Sequence, residues 1–200
     1  MKLTLVERVT SYNYTFRRFP RSRLQWTDTP DGKCIDGMWW LGNDYRKKSG
    51  PAFHGAYPGN YLERIMSLFP DAERIMHLFS GSLPPGDYTR VDLNDNADWR
   101  GDAHELSEYW EPYFDLIVAD PPYSEQDAAK YGTLMIKRKV VLAECAKILE
   151  PGGFLVWLDV QVPSWRKVDF RCAGVVGLIT SAGHRGRFIS IFERQEETAE

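Results

Sequence analysis

Cysteine is scarce in this chain. The three residues, Cys34, Cys145 and Cys172, are scattered and show no C-x-x-C spacing. That excludes a disulfide framework and a cysteine-built zinc site and leaves buried free thiols; no metal site is expected. Long apolar runs are missing, and so is a signal-peptide pattern at the N-terminus, so the expected location is cytoplasmic. Excess positive charge is missing too. The net charge of −3 excludes a bulk basic nucleic-acid binder, and any such contact must come from a local patch. Internal repeats and low-complexity segments are absent.

What the chain does have is apolar and aromatic substance, 43% and 14% of its residues, which marks a folded protein. A length of 200 residues suits one domain with a sizeable core. Three basic clusters stand out: Arg17, Arg18, Arg21 and Arg23 around Phe19, then Arg46-Lys47-Lys48, then Lys137-Arg138-Lys139. A solvated face is the plainer reading of each alone, and the first, with its interleaved aromatic, is the best nucleic-acid candidate.

The pattern along the chain alternates strand-like and helix-like segments. Residues 1–52 carry Trp26, Trp39 and Trp40 among turn signals such as Pro30-Asp31-Gly32 and read as a loop-rich arm with short strands. Tyr61, Leu62, Ile65, Met66 and Phe69 fall at helical spacing, and Pro70 ends that helix. Buried strands are predicted at Ile75–Phe79, Tyr88–Asp92, Phe114–Ala119 and Phe154–Leu158, with helix from about Gln126 to Leu149, broken near Gly132. Strands at Arg171–Ile179 and Arg187–Glu193 are close enough for an antiparallel hairpin. The expected fold is α/β, a mostly parallel sheet closed by that hairpin. The expected divisions are an arm over 1–52, a catalytic domain over 53–193 and an acidic tail over 194–200.

Chemistry concentrates at Asp120-Pro121-Pro122-Tyr123, directly after the Phe114–Ala119 strand. Each proline fixes its own φ and neither continues a ladder, so the turn is rigid and its carbonyls are left for a ligand. Asp120 adds a carboxylate acceptor and Tyr123 a ring on which a planar heterocycle can lie. The set suits the exocyclic amino group of a nucleobase. In isolation, an ordinary Pro-Pro strand terminator would look the same.

Taken in order, the motifs resemble the amino-group DNA methyltransferases of the S-adenosylmethionine-dependent, Rossmann-like class. Phe79-Ser80-Gly81-Ser82 is similar to the family's glycine loop, Asp92 to its ribose acid, and Asp102-Ala103 to the segment that meets the cofactor's adenine. Asp120, Pro121, Pro122 and Tyr123 resemble its catalytic signature, and Leu149–Gly153 its turn before the fifth strand. Tyr57, within the looser match Phe53–Tyr61, joins Phe79, Ser80, Gly81, Ser82, Asp92, Asp102, Ala103 and Asp120 as implied cofactor contacts. Asp120-Pro121-Pro122-Tyr123-Ser124 followed by Tyr131, with the late Ser181–Arg185, looks like the small adenine methyltransferases of phages and prophages.

The resemblance implies N6-methylation of a flipped adenine in DNA, with S-adenosylmethionine as cofactor. Ser124 and Tyr131 would lie on the target side, or else cap and pack the next helix. Arg17, Arg18, Arg21 and Arg23 would meet the nucleic acid. No stretch is long enough for a separate recognition domain, so the arm, loops such as Gln161–Lys167 or a partner would read the site. RNA bases, protein glutamine and a catalytically silent binding scaffold stay open as alternatives. The chain departs from the family in two respects: Ile75-Met76-His77 stands where members often carry an acid early in the first strand, and the links Phe79–Tyr88 and Leu93–Trp99 are too short for the usual crossover helices. The tryptophan-bearing arm is expected to cover the bared half-sheet, with base stacking as the rival role for its rings.

Overall fold

The structure, a computed structural model, describes residues 2–41, 57–180 and 186–196. The Arg46–Lys48 cluster, the start of the Phe53–Tyr61 match and the Ser181–Arg185 motif lie outside the described residues.

The arm opens on a helix that the sequence reading missed, α1 (Leu5–Thr15). Its start is fixed by a capping box. Glu7 N–H donates to the Thr4 hydroxyl at 3.3 Å, and Thr4 N–H donates to Glu7 Oε2 at 2.8 Å. One face buries Leu5, Val9, Tyr12 and Phe16. Short polar and β-branched residues on the other face, such as Thr10 and Ser11, blur its helical period. Strands β1 (Leu24–Thr29) and β2 (Gly32–Trp40) follow as an antiparallel hairpin. Gly32, at φ 106°, supplies the turn that an L side chain resists.

The remaining elements are α2 (Tyr61–Leu68), β3 (Ile75–Leu78), β4 (Thr89–Asp92), β5 (Trp99–Arg100) and β6 (Phe114–Ala119), then α3 (Glu125–Lys130), α4 (Arg138–Ile148), β7 (Leu149–Asp159), β8 (Phe170–Ile179) and β9 (Arg187–Arg194). They build one sheet in the order β1-β2-β8-β9-β7-β6-β3-β4-β5. The pairings β2–β8, β3–β4, β3–β6, β4–β5 and β6–β7 are parallel, while β9 runs antiparallel between β7 and β8. The expected α/β class, mostly parallel sheet and C-terminal antiparallel hairpin are all present. The structure extends the sheet further, because β2 docks on β8 and makes the arm two more strands of it.

No helix joins β3 to β4 or β4 to β5. The short links work because the strands are short. Four residues span only ~13 Å, whereas a link of the length of residues 79–88 reaches ~30 Å when extended.

Apolar residues fill both faces of the sheet. α1 and α2 cover one face, packing Val9, Tyr12, Ile65 and Leu68 with Leu116, Val118, Val156, Val176, Ile189 and Trp39. α4 covers the other through Val141, Leu142 and Cys145, against Ile117, Leu155 and Trp157. Of the three arm tryptophans only Trp39 is buried; Trp26 and Trp40 are 40% and 55% exposed. Among the described residues, the arm joins the sheet through β2 on β8 and through Arg8, whose guanidinium lies 4.9 Å from the ring centre of Phe154 in β7. At β3, Tyr57 and Tyr88 close on the buried His77, with ring centroids 5.7 and 4.6 Å away.

Candidate active site

The chain order reverses between β3 and β6, which lie side by side. The crevice outside the carboxyl ends of strands at such a reversal is where open α/β sheets bind ligands. Here it is a cleft of 1280 Å³, lined by the ends of β3, β4 and β6, the first residue of β9 and the α3–α4 connection. Single small-molecule sites span ~300–1,000 Å³, so this one has room for two ligands side by side.

The glycine loop forms one wall. Phe79 follows β3 at φ 60° and Gly81 sits at φ 52°. The left-handed region is open to glycine, but a phenylalanine held there is strained, and such residues cluster at functional sites. The Phe79 ring is anchored edge-on against Trp157, centroids 6.3 Å apart. Ser80 is buried and its N–H donates to the Val91 carbonyl at 3.2 Å, while Gly81 and Ser82 line the cleft. Asp92, the last residue of β4, braces this loop: Oδ2 accepts the Gly81 N–H at 2.8 Å. Its Oδ1 accepts the backbone and side-chain N–H groups of Asn94 at 3.1 and 2.8 Å.

The β5 side supplies Asp102 and Ala103. His104 N–H and Nδ1 meet Asp102 Oδ1 at 2.9 and 2.6 Å, so the bonds on Asp102 all fall on one oxygen. Burial works to raise the Asp102 pKa, but the two His104 donors outweigh it and hold the carboxyl below its ordinary value. His104 Nε2 accepts the Lys137 N–H at 3.0 Å, which assigns the ring proton to Nδ1. His104 thereby ties the Asp102 wall to the α3–α4 connection, whose residues 133–137 also line the cleft.

Asp120 to Tyr123 close the floor. Tyr123 Oη donates to Asp120 Oδ1 at 2.5 Å and accepts from Arg187 Nη1 at 3.2 Å. Among the described residues no donor is hydrogen-bonded to the Pro121 carbonyl. Burial pushes the Asp120 pKa up to about 7; the Tyr123 hydrogen bond and the Arg187 charge oppose this, and the Asp159 charge adds to it. Burial and the Asp120 carboxylate also hold the Tyr123 phenol far above its ordinary range. The turn is held from behind by Arg138, whose Nη2 donates to the Tyr123 carbonyl at 3.3 Å while its Nε and Nη2 meet Asp159 at 2.6 and 3.2 Å.

No protein-family model matches the sequence, and no curated protein matches it. Among solved structures, the chain is similar to TrmN from Thermus thermophilus, at 16% identity over 72% of this chain and 51% of TrmN, with a TM-score of 0.49. It is similar to the putative methyltransferase yhhF from Escherichia coli at 9% identity, over 64% and 77% of the two chains and a TM-score of 0.44. For the N-methyltransferase NodS from Bradyrhizobium japonicum WM9 the values are 17%, 62%, 87% and 0.41. The chain spans about half the length of TrmN. The fold itself is α/β, a mostly parallel sheet with antiparallel strands.

The cleft brings together Phe79, Gly81, Ser82, Asp92, Asp102, Ala103, Asp120, Pro121, Pro122, Tyr123 and Tyr131. Other candidate residues fall elsewhere. Tyr57 lies behind the cleft, its hydroxyl 3.2 Å from His77 Nδ1 and 3.4 Å from the Val118 carbonyl it donates to. Ser124 caps α3, accepting the Asp127 N–H at 3.2 Å. Arg17, Arg18, Arg21 and Arg23 are exposed beside β1, five strands away from β6, or ~24 Å at the usual spacing. Sequence reasoning passed over Arg187 and His104. A topological signal was there for Arg187: the first residue of an antiparallel strand lies at the sheet edge where parallel strands end.

Among the described residues there is no cluster of metal-ligating side chains, and no helix is long and apolar enough to cross a membrane.

Proposed function

We propose that this chain transfers a methyl group from S-adenosylmethionine to the exocyclic amino group of adenine in DNA. One observation carries the reading. The Asp120–Tyr123 turn and the acids Asp92 and Asp102 face one cleft across a strained glycine loop. The residues fit the cofactor. Ser80-Gly81-Ser82 is a small-residue wall, Asp92 and Asp102 are acceptors for hydroxyl and amino groups, and Asp102 Oδ2 carries no bond within the described chain. When bound, the cofactor supplies a methyl group on a positively charged sulfur, an electrophile that needs no further activation.

The protein's task is then to prepare the nucleophile. An aromatic amino group is a poor one because its lone pair is delocalised into the ring. Asp120 and the Pro121 carbonyl accept the two amino protons and draw the lone pair toward nitrogen. The amino nitrogen loses one proton as it gains the methyl group, and Asp120, titrating near neutrality, is suited to receive it. Tyr123 stacks on the base and keeps it edge-on, so most of the acceleration comes from positioning and fixed dipoles. A duplex base must leave the stack to arrive here, at a cost of a few kcal/mol. Cysteine has no part in this scheme.

The test is incubation of the purified protein with S-adenosylmethionine and, separately, DNA, RNA and protein, followed by mass spectrometry of the products. N6-methyladenine in DNA is the expected product, and Asp120→Ala should lower its formation ~10²-fold or more while calorimetric binding of the cofactor stays near wild type. A methylated RNA base or glutamine would move the substrate class. Cofactor binding without transfer to any of the three would overturn the assignment.

A further inference from the structure

We infer that Arg187 is a third working member of the Asp120–Tyr123 clamp, positioning the Tyr123 ring and holding its hydroxyl when a base amino group takes that hydroxyl's place on Asp120. The inference rests on the reading that the clamp grips a nucleobase. It concerns a residue 64 positions beyond Tyr123 in the chain and outside the signature.

Within the chain the clamp satisfies itself. The Tyr123 proton points at Asp120 Oδ1, an acceptor that an incoming amino group needs. A phenol has one proton and two lone pairs, so Tyr123 can donate to Asp120 and accept from Arg187 together. Both bonds are present, and the guanidinium also lies 5.7 Å from the centre of the Tyr123 ring. When the base displaces the hydroxyl from Asp120, the phenol oxygen would be stranded in a desolvated cleft unless a donor held it, and an unpartnered buried polar group is costly. Arg187 is that donor. Its guanidinium is a planar fork of five N–H groups, and the hydroxyl bond together with the ring contact keeps the ring oriented.

The arginine is delivered by a rigid support. It is the first residue of β9 and pairs with Leu178 of β8, while the next residue, Phe188, pairs with Asp159 of β7 and Gly177 of β8. The guanidinium is therefore anchored through two ladders that also carry the sheet. Its positive charge faces a carboxyl whose other neighbours are Tyr123 and the negative Asp159, so it also favours the ionised acceptor.

The experiment uses the full chain carrying Arg187→Met, Arg187→Lys, Tyr123→Phe, or Arg187→Met with Tyr123→Phe, each checked for a cooperative melt. Carboxyl NMR of ¹³C-aspartate-labelled protein, without substrate, should find the Asp120 midpoint raised by about half a pH unit or more in Arg187→Met and partly restored in Arg187→Lys. An unmoved midpoint overturns the inference alone. In methyl transfer to adenine-containing DNA, Arg187→Met should lower kcat about tenfold with cofactor KM within about twofold of wild type. In the Tyr123→Phe background its further effect should be under about twofold, because the two act as one unit. Independent, multiplying losses overturn the chain from Arg187 through Tyr123. If the wild-type protein methylates no nucleic acid, the functional reading falls and the role of Arg187 in it falls too, a result distinct from an unmoved midpoint.

Discussion

Asp120 is the residue on which pH acts most directly. Its carboxyl titrates at about 7, raised mainly by burial, and on the proposed function only the ionised form can take up the amino proton. The rate of methyl transfer should rise about tenfold per pH unit below 7 and level off above it, measured with saturating cofactor. Stability runs the other way. A carboxyl whose folded pKa exceeds its unfolded value of about 3.9 favours the fold at low pH. That contribution is lost as pH rises from about 4 through 7. Asp120→Asn should therefore raise Tm at pH 8 and change it little at pH 4, where the wild-type carboxyl is also neutral; equal shifts at both would refute the titration. On the proposed function, Asp92 belongs to a different step. Asp92→Ala frees the Gly81 N–H from its brace and should weaken cofactor binding by about tenfold in calorimetry, with the turnover of saturated enzyme less affected. At this scale the sequence was readable where chemistry is local. Asp120 to Tyr123 are consecutive, so the turn they form at the cleft was legible. Arg187 was not readable, because its partner is distant in the chain and only the strand topology joins them.

Elements tell a second story, in which the tie between α4 and β7 is central. Asp159 is fully buried at the end of β7 and accepts from Arg138, from Trp157 Nε1 at 3.2 Å and from the Val160 N–H at 2.7 Å. Removing one partner of such a pair leaves buried donors unsatisfied, so Asp159→Ala should cost ~3 kcal/mol, measured by denaturant unfolding. It should also loosen the Tyr123 carbonyl that Arg138 holds. Sequence patterning located β3, β4, β6, the β8–β9 pair and the helical stretch that resolves into α3 and α4, because apolar runs and Gly/Pro punctuation mark them plainly. It missed α1, whose buried stripe is interrupted by Arg8, an inward-facing cation paired with Asp71 through Nη2 at 2.8 Å. A buried charge at a core position removes the periodicity on which the prediction depends. β5 is two residues long and carries no period at all.

Over the whole molecule, charge and shape pull on the substrate question together. With a net charge of −3, nucleic-acid affinity must be local. The exposed Arg17, Arg18, Arg21 and Arg23 stand at the β1 end of the sheet, well to the side of the cleft. If they hold a backbone, replacing all four with alanine should reduce the slope of log K against log[salt] by about one for each phosphate no longer neutralised. An unchanged slope would assign them to solvent. The architecture was legible as a class, since alternating strands and helices admit few arrangements. The docking of the arm on β8 was not, because nothing in a strand's own residues names a partner so far along the chain.

That docking has a consequence for how the chain is made. Ile35 pairs with Gly174, and Arg171 donates to the Lys33 carbonyl at 2.7 Å, so the β1–β2 hairpin finds its place only after β8 has been synthesised. Until then β2 has a bare edge, and contacts this distant in sequence form slowly. Nascent chains would hold an unpaired strand while the residues between β2 and β8 are made, a window in which chaperone capture or mispairing between neighbouring chains competes with the native sheet.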